Sequence, residues 1–219
     1  MFYIIFFAKP NNRYSYDQSI VHTIMLSSEH NLTSGSDQYE WLESDLKLVN
    51  RTITPWLVVE MHRPMYSESL LCQSGDPFVL PRSHPLSPTD SVRYWGGATV
   101  ALGMRSEFED LLYEYRADLV LSGHYHSYLR TCDGLYRGNC QSGGPTYVTV
   151  GTGGAPLDED GVGFIPNGWT EVYDNRRHGV GRAGAYNASA MLWEFVAADD
   201  GEESGVVTDS VWIRRNRGP

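Results

Sequence analysis

Three of the seven histidines sit where imidazole can do metal chemistry. His62 follows the apolar run Trp56–Met61, and His124 and His126 close Gly123-His124-Tyr125-His126, just after Asp118–Leu121. Residues two apart in an extended segment face the same way, so His124 and His126 can serve one site. Neutral imidazole suits zinc, iron or manganese. A lone histidine is ordinarily a hydrogen-bonded side chain. A His-x-His at one strand end with a third His at another points instead to a metal centre, because ligands collect at the carboxyl ends of parallel strands. Gly123 is expected to let the chain turn sharply and approach a ligand.

Two β-α units would hold these groups. Ile20–Leu26 reads as a strand, followed by a helix from Ser36 or Asp37, with Asp37 and Glu40 forming a capping-box-like start. Tyr39, Leu42, Leu46 and Val49 recur at helical spacing and mark its buried face. Trp56–Met61 is the next strand. In the second unit Met104, Phe108, Leu111, Leu112 and Tyr115 mark a helix face, and Asp118–Leu121 and Thr146–Val150 are strands. The alternation predicts an α/β fold with a largely parallel sheet covered by helices. Residues 67–98 read as a long loop and 153–180 as irregular. Gly181–Ala185, Ala190–Val196 and Val206–Arg214 read as an antiparallel α+β tail.

Composition narrows the function classes. Seventeen Lys+Arg against 27 Asp+Glu give a net charge of −10, against a nucleic-acid grip or a polybasic membrane surface. No run approaches the ~18 apolar residues of a membrane span. Cys132 and Cys140 either close a short disulfide loop or remain free thiols, and Cys72 would then be unpaired or lack a partner outside these residues. Asn31, Asn50 and Asn187 head sequons and are candidate acceptors for N-linked glycans. The start, MFYIIFFAKP, is no reliable signal peptide: it lacks a basic region, and a buried strand or a non-native start explains it equally well.

Known His-x-His sites can be set against the letters. A metallo-β-lactamase-like site wants Asp-His after His-x-His, and a cupin wants a nearby Glu; Ser127-Tyr128-Leu129 supplies neither. Val59-Glu60-Met61-His62 resembles the V-x-x-H motif of the purple acid phosphatases, in the metallophosphoesterase superfamily, and Gly123-His124-Tyr125-His126 resembles their G-H-x-H. Ser28-Glu29-His30, Gln38–Leu42, Thr54–Leu57, His62–Tyr66 and the tail from Gly181-Arg182 through Trp193–Phe195 resemble the family's flanks. The likeness runs over residues 14–215, with 1–13 a non-matching stub and 216–219 a tail.

The resemblance implies part of a four-layer α/β/β/α sandwich whose N-terminal portion is missing here. It implies hydrolysis of phosphate monoesters, usually at acidic pH, at a ferric ion paired with zinc, manganese or ferrous iron. By motif, His62 and His124 are implied ligands of the divalent ion and His126 of the ferric ion. It also implies a secreted, extracellular or vacuolar location. The family's G-D-x-G, G-D-x-x-Y and G-N-H-[DE] motifs do not occur in these residues: Gly75-Asp76 leads into Pro77-Phe78-Val79, and Gly138-Asn139 into Cys140. The expectation is therefore an acid phosphatase segment that is inactive or impaired alone. Its alternatives are a remnant that binds phosphate or one zinc, or no metal, and a purely structural fragment. His30 and Arg63 are secondary candidates for phosphate contact. Tyr66 and Tyr125 are candidate pocket walls, His22 a core or surface residue, and His84 and His178 candidates for the pocket mouth.

Overall fold

A computed structural model describes residues 12–67, 97–158, 167–198 and 204–215. Cys72, His84, the N-terminal stub through residue 11, most of the expected loop at 67–98 and the tail 216–219 lie outside them.

The chain opens with a hairpin, β1 (Tyr14–Gln18) against β2 (Val21–Leu26). β1 is polar and exposed, as suits a sheet edge. Helix α1 (Asp37–Leu48) follows. Its cap is Ser36, whose side chain accepts from the Tyr39 N–H, so Asp37 is the first helical residue rather than the cap. Leu42 and Leu46 are buried as the spacing predicts, and Tyr39 and Val49 pack beside them. Strand β3 (Trp56–Met61) is nearly all buried.

The second helical run begins at Gly97, inside the expected loop. It passes from α2 (Gly97–Met104) through a π-helical turn at Arg105–Glu109 into α3 (Asp110–Glu114). Met104, Phe108, Leu111 and Leu112 are buried in one face. Strands β4 (Leu119–Ser122), β5 (Tyr128–Thr131), β6 (Leu135–Tyr136), β7 (Asn139–Cys140) and β8 (Thr146–Val150) follow. Cys132 and Cys140 close a disulfide, their Cα atoms 6.0 Å apart. Strand β9 (Thr170–Asp174) forms inside the stretch expected to be irregular. The meander at the end is β10 (Gly179–Asn187), β11 (Ala190–Ala197) and β12 (Val207–Arg214), each pairing antiparallel with the next.

The large sheet has the order β1-β2-β3-β4-β8-β5-β9. Only β2, β3, β4 and β8 form a parallel core; β1 and β5 run against their neighbours. Helices cover one face, where Ile24, Val59 and Val120 meet Leu42, Leu46, Phe108 and Leu112. The expectation of helical cover fails on the other face. There the β10–β12 sheet packs Met191, Trp193, Phe195 and Ile213 onto Trp56, Val58, Leu119, Tyr128 and Val148. Each such large apolar side chain, fully buried, contributes roughly 1.5–3 kcal/mol. The result is a mixed α/β helix–sheet–sheet stack.

Candidate metal centre

β2, β3 and β4 are parallel neighbours, so their carboxyl ends lie side by side. From β2 comes the turn Ser27–His30, from β3 His62 and Arg63, and from β4 the segment Gly123–His126. Backbone bonds hold the three together: Gly123 N–H donates to the His62 carbonyl at 3.0 Å, and Arg63 N–H to Ser28 Oγ at 2.9 Å. β8 supports them from beneath. A Cβ on Gly151 would lie 1.7 Å from the Tyr125 carbonyl oxygen, so only glycine lets the exit of β8 pass there.

The sharp conformation is not at Gly123. A Cβ there would meet only backbone oxygens at 3.9 Å. It falls one residue later, at His124, whose φ of 65° is left-handed. Such a φ costs a non-glycine residue of order 1–3 kcal/mol and concentrates at functional sites.

His62 and His124 come together. His124 Nδ1 lies 3.2 Å from His62 Nε2, with the rings edge to face at 5.0 Å. Two imidazole nitrogens on one zinc, each at about 2.0–2.1 Å, stand roughly 3–3.4 Å apart, so the pair fits a single ion. Burial, then the neighbouring Arg63 and His62 charges, hold the His124 imidazolium below the usual range, which favours a neutral ring.

His126 is held apart from this pair. Its backbone N–H donates to Asp158 Oδ2 at 2.8 Å, and the Asp158 N–H returns a bond to the His126 carbonyl at 3.1 Å. His126 Nδ1 lies 2.7 Å from the Pro156 carbonyl, which can only accept, so Nδ1 carries a proton and Nε2 is the nitrogen left to act as a ligand in the neutral ring. Metal-binding histidines characteristically spend their second ring nitrogen this way. Among the described residues no three His, Cys, Asp or Glu side chains gather as one metal-holding group.

Arg63 spans the remaining space. Its Nε and Nη2 donate to Glu29 Oε1 and Oε2 at 2.7 and 3.2 Å, and its Nη1 reaches His124 Nε2 at 3.3 Å. That arginine bonding holds the Glu29 carboxyl below its ordinary value. His30 is exposed, with Nδ1 2.7 Å from Ser27 Oγ. The Tyr125 ring meets His124 edge-on at 5.1 Å, whereas Tyr66 is core, packed on Tyr147 and Trp169. His178 bonds the Ala155 carbonyl, and His22, on β2, lies between Asp17 and Asp45. Sequence reasoning missed Glu29, Pro156 and Asp158 as partners of the site. Glu29 sits next to His30 in a quoted flank, but nothing in the letters joins it to Arg63.

The family profile described as "Calcineurin-like phosphoesterase" matches residues 7–128, and "Iron/zinc purple acid phosphatase-like protein C" matches 144–210. "Probable purple acid phosphatase 20" of Arabidopsis thaliana is 32% identical over 209 residues, covering 94% of this chain and 42% of the relative. Purple acid phosphatase 21 of the same plant is 35% identical over 180 residues, covering 76% of this chain and 35% of the relative. The structure of a purple acid phosphatase from yellow lupin (Lupinus luteus) seeds superposes with a TM-score of 0.73 at 26% identity, over 98% of this chain and 34% of that one. The chain thus spans about two fifths of the length of these curated relatives. With both profiles, the relatives and the fold in agreement, the chain belongs to the purple acid phosphatase family of metallophosphoesterases.

Proposed function

We propose that this chain carries the histidine side of a dinuclear centre that hydrolyses phosphate monoesters. His62 and His124 hold the divalent ion (zinc, manganese or ferrous iron), His126 faces the ferric ion, and Arg63 and His30 contact phosphate. Residues 14–215 are this part of the catalytic domain. Two adjacent ions would supply a clamp on the phosphate oxygens and a water made acidic enough to attack phosphorus. The chain's own residues orient the ligands, balance charge and bind the ester. The observation that carries the reading is the 3.2 Å separation of His62 Nε2 and His124 Nδ1. The free Nε2 of His126, fixed by Pro156, supports a second ion beside the first.

The 219 residues taken alone are expected to turn over slowly or not at all. They contain none of the family motifs that supply two aspartates, a tyrosine and an asparagine as ligands. Without carboxylates between them two cations repel with little compensation. The test is metal analysis of the purified chain with release of phosphate from p-nitrophenyl phosphate at pH 5. Two tightly bound ions with robust turnover refute the expected impairment, and so does the purple charge-transfer band that needs a tyrosinate ligand. A second reading, a single-zinc or phosphate binder, is favoured by the separation of His126 from the pair. It requires one zinc per chain, lost in His124→Ala.

Secretion or vacuolar storage suits the same reading. The Cys132–Cys140 disulfide belongs in an oxidising compartment. Asn31, Asn50 and Asn187 are exposed, and each accepts on Oδ1 from the backbone and hydroxyl of the Thr or Ser two residues on, leaving Nδ2 for a glycan. No helix among the described residues is long and apolar enough to cross a membrane.

A further inference from the structure

We propose that Glu29 is a positioning residue that lets Arg63 exchange partners, from His124 in the metal-free chain to phosphate once His124 holds an ion. This rests on the metal-centre reading above.

A guanidinium has donors and no acceptor. Arg63 Nη1, 3.3 Å from His124 Nε2, therefore requires that nitrogen to accept. A neutral ring must then carry its proton on Nδ1, and Nδ1 donates to His62 Nε2 at 3.2 Å. Arg63 thus donates both ways, to Glu29 on one edge and to His124 on the other, and from His124 the donation continues to His62.

That direction opposes metal binding at the pair. For Nδ1 of His124 to act as a ligand, the single proton of the neutral ring must reside on Nε2. Nε2–H then faces the Arg63 N–H, two donors with nothing between them, and the contact is lost. The guanidinium does not leave the site, because Glu29 still holds its Nε and Nη2 edge. The backbone of Arg63 is tied to the adjacent Ser28 as well. Nη1 is released into the space beside the histidines, where an anion is the partner it lacks. Glu29 also offsets the arginine charge while no anion is present. Metal and phosphate occupancy are in this way linked through one side chain, and the linkage is reciprocal.

The first test needs no variant. Long-range 15N–1H NMR of the His124 ring in the metal-free chain should show the Nδ1–H tautomer, moving to Nε2–H on addition of zinc. An Nε2–H ring in the metal-free chain overturns the proposal. In Arg63→Ala, zinc should bind severalfold more tightly, since a competitor for His124 and a neighbouring positive charge are both gone. Glu29→Gln should weaken inorganic phosphate binding to the zinc-loaded chain severalfold, and so should Arg63→Lys, which keeps the charge but loses the fork that Glu29 holds. Zinc binding by the wild type with unchanged affinity in Arg63→Ala overturns the exchange alone. If zinc binds the wild type no better than His62→Ala, the metal-centre reading fails and the exchange fails with it.

Discussion

Replacing Asp209 by Asn should loosen the two sheets from each other. Asp209, on β12, accepts from Arg130 Nε and Nη2 at 2.6 and 2.9 Å and from the Tyr128 hydroxyl at 2.5 Å. Arg130 and Tyr128 lie on β5 of the large sheet, so these bonds join the layers. Tyr128 in turn accepts from Trp193 Nε1 at 2.9 Å and stacks on Phe195 at 4.1 Å. The Arg130 and Asp209 side chains are 10% and 9% exposed, so solvent screens the pair little. Burial pushes the Asp209 carboxyl up, but the bonds from Arg130 and Tyr128 outweigh it, and the net shift is downward. Removing one member of a buried pair strands the other charge and costs about 3–5 kcal/mol. Against a total stability of about 5–15 kcal/mol that is a large share. With a urea slope near 2 kcal/mol per molar, the midpoint should fall by about 1.5–2.5 M. Arg130→Met should cost less, because it leaves a carboxylate that Tyr128 can still serve. The double variant should be more stable than the sum of the two changes predicts, with a coupling above about 0.5 kcal/mol. A midpoint shift for Asp209→Asn below about 0.5 M, or additive single and double variants, would refute the argument that this pair clamps the layers.

His22 offers a pH test at the other sheet edge. Its Nδ1 meets Asp17 at 2.5 Å and its Nε2 meets Asp45 at 3.0 Å, tying β1 to α1. The bond to Asp45 raises its pKa above 6.5, burial opposes, and Asp17 adds to the rise. A raised pKa gives stability that is complete below about 6.5 and lost as pH climbs through the folded value. Urea midpoints should therefore fall from pH 6 towards pH 9 by the equivalent of about 1.5 kcal/mol, at the low end for charge-assisted bonds because Asp17 is largely exposed. His22→Gln should flatten that slope, and an equally steep profile in the variant would exclude His22 as its origin. Gly151→Ala should destabilise the chain by about 3 kcal/mol and weaken zinc binding, as the new methyl meets the Tyr125 carbonyl. Gly153→Ala, with no atom within 4 Å of its Cβ, is the control, and equal losses in both would remove the role given to Gly151.

Local signals carried much of the architecture. Leu42 and Leu46 announce α1 by their spacing, and Trp56–Met61 and Thr146–Val150 are short, mostly apolar and rich in β-branched or aromatic residues, which marks them as buried strands. β5 was hidden because Arg130 and Thr131 read as surface residues. Arg130 is buried against Asp209, 79 residues later, and Thr131 accepts from the Tyr147 N–H of β8. β9 was hidden in a Gly- and Asn-rich stretch, and β1 by the polarity that fits it for an edge. Strand order was equally silent: nothing local places β8 between β4 and β5. At the site, the motifs marked the three histidines, but their grouping into a pair and a separate third depends on Pro156 and Asp158. The strained residue was misplaced by one. Gly123 has the permissive backbone, yet His124 takes the left-handed conformation, with its ring against His62.

The insertion of β8 between β4 and β5 also sets an order in time. β5 emerges from the ribosome before either of its sheet neighbours, β8 and β9, exists. From Thr131 to Asp174 another 43 residues must be made, roughly 2–9 seconds at ordinary synthesis rates. For the first 19 of those residues, until β8 is complete at Val150, Tyr128–Thr131 has no strand to join, and His126, two residues upstream, waits longer still, for Pro156 and Asp158. His62 and the sheet ends beside it are complete far earlier. The partners of His126 are therefore the last part of the candidate site to be made, and they come from the far side of β8.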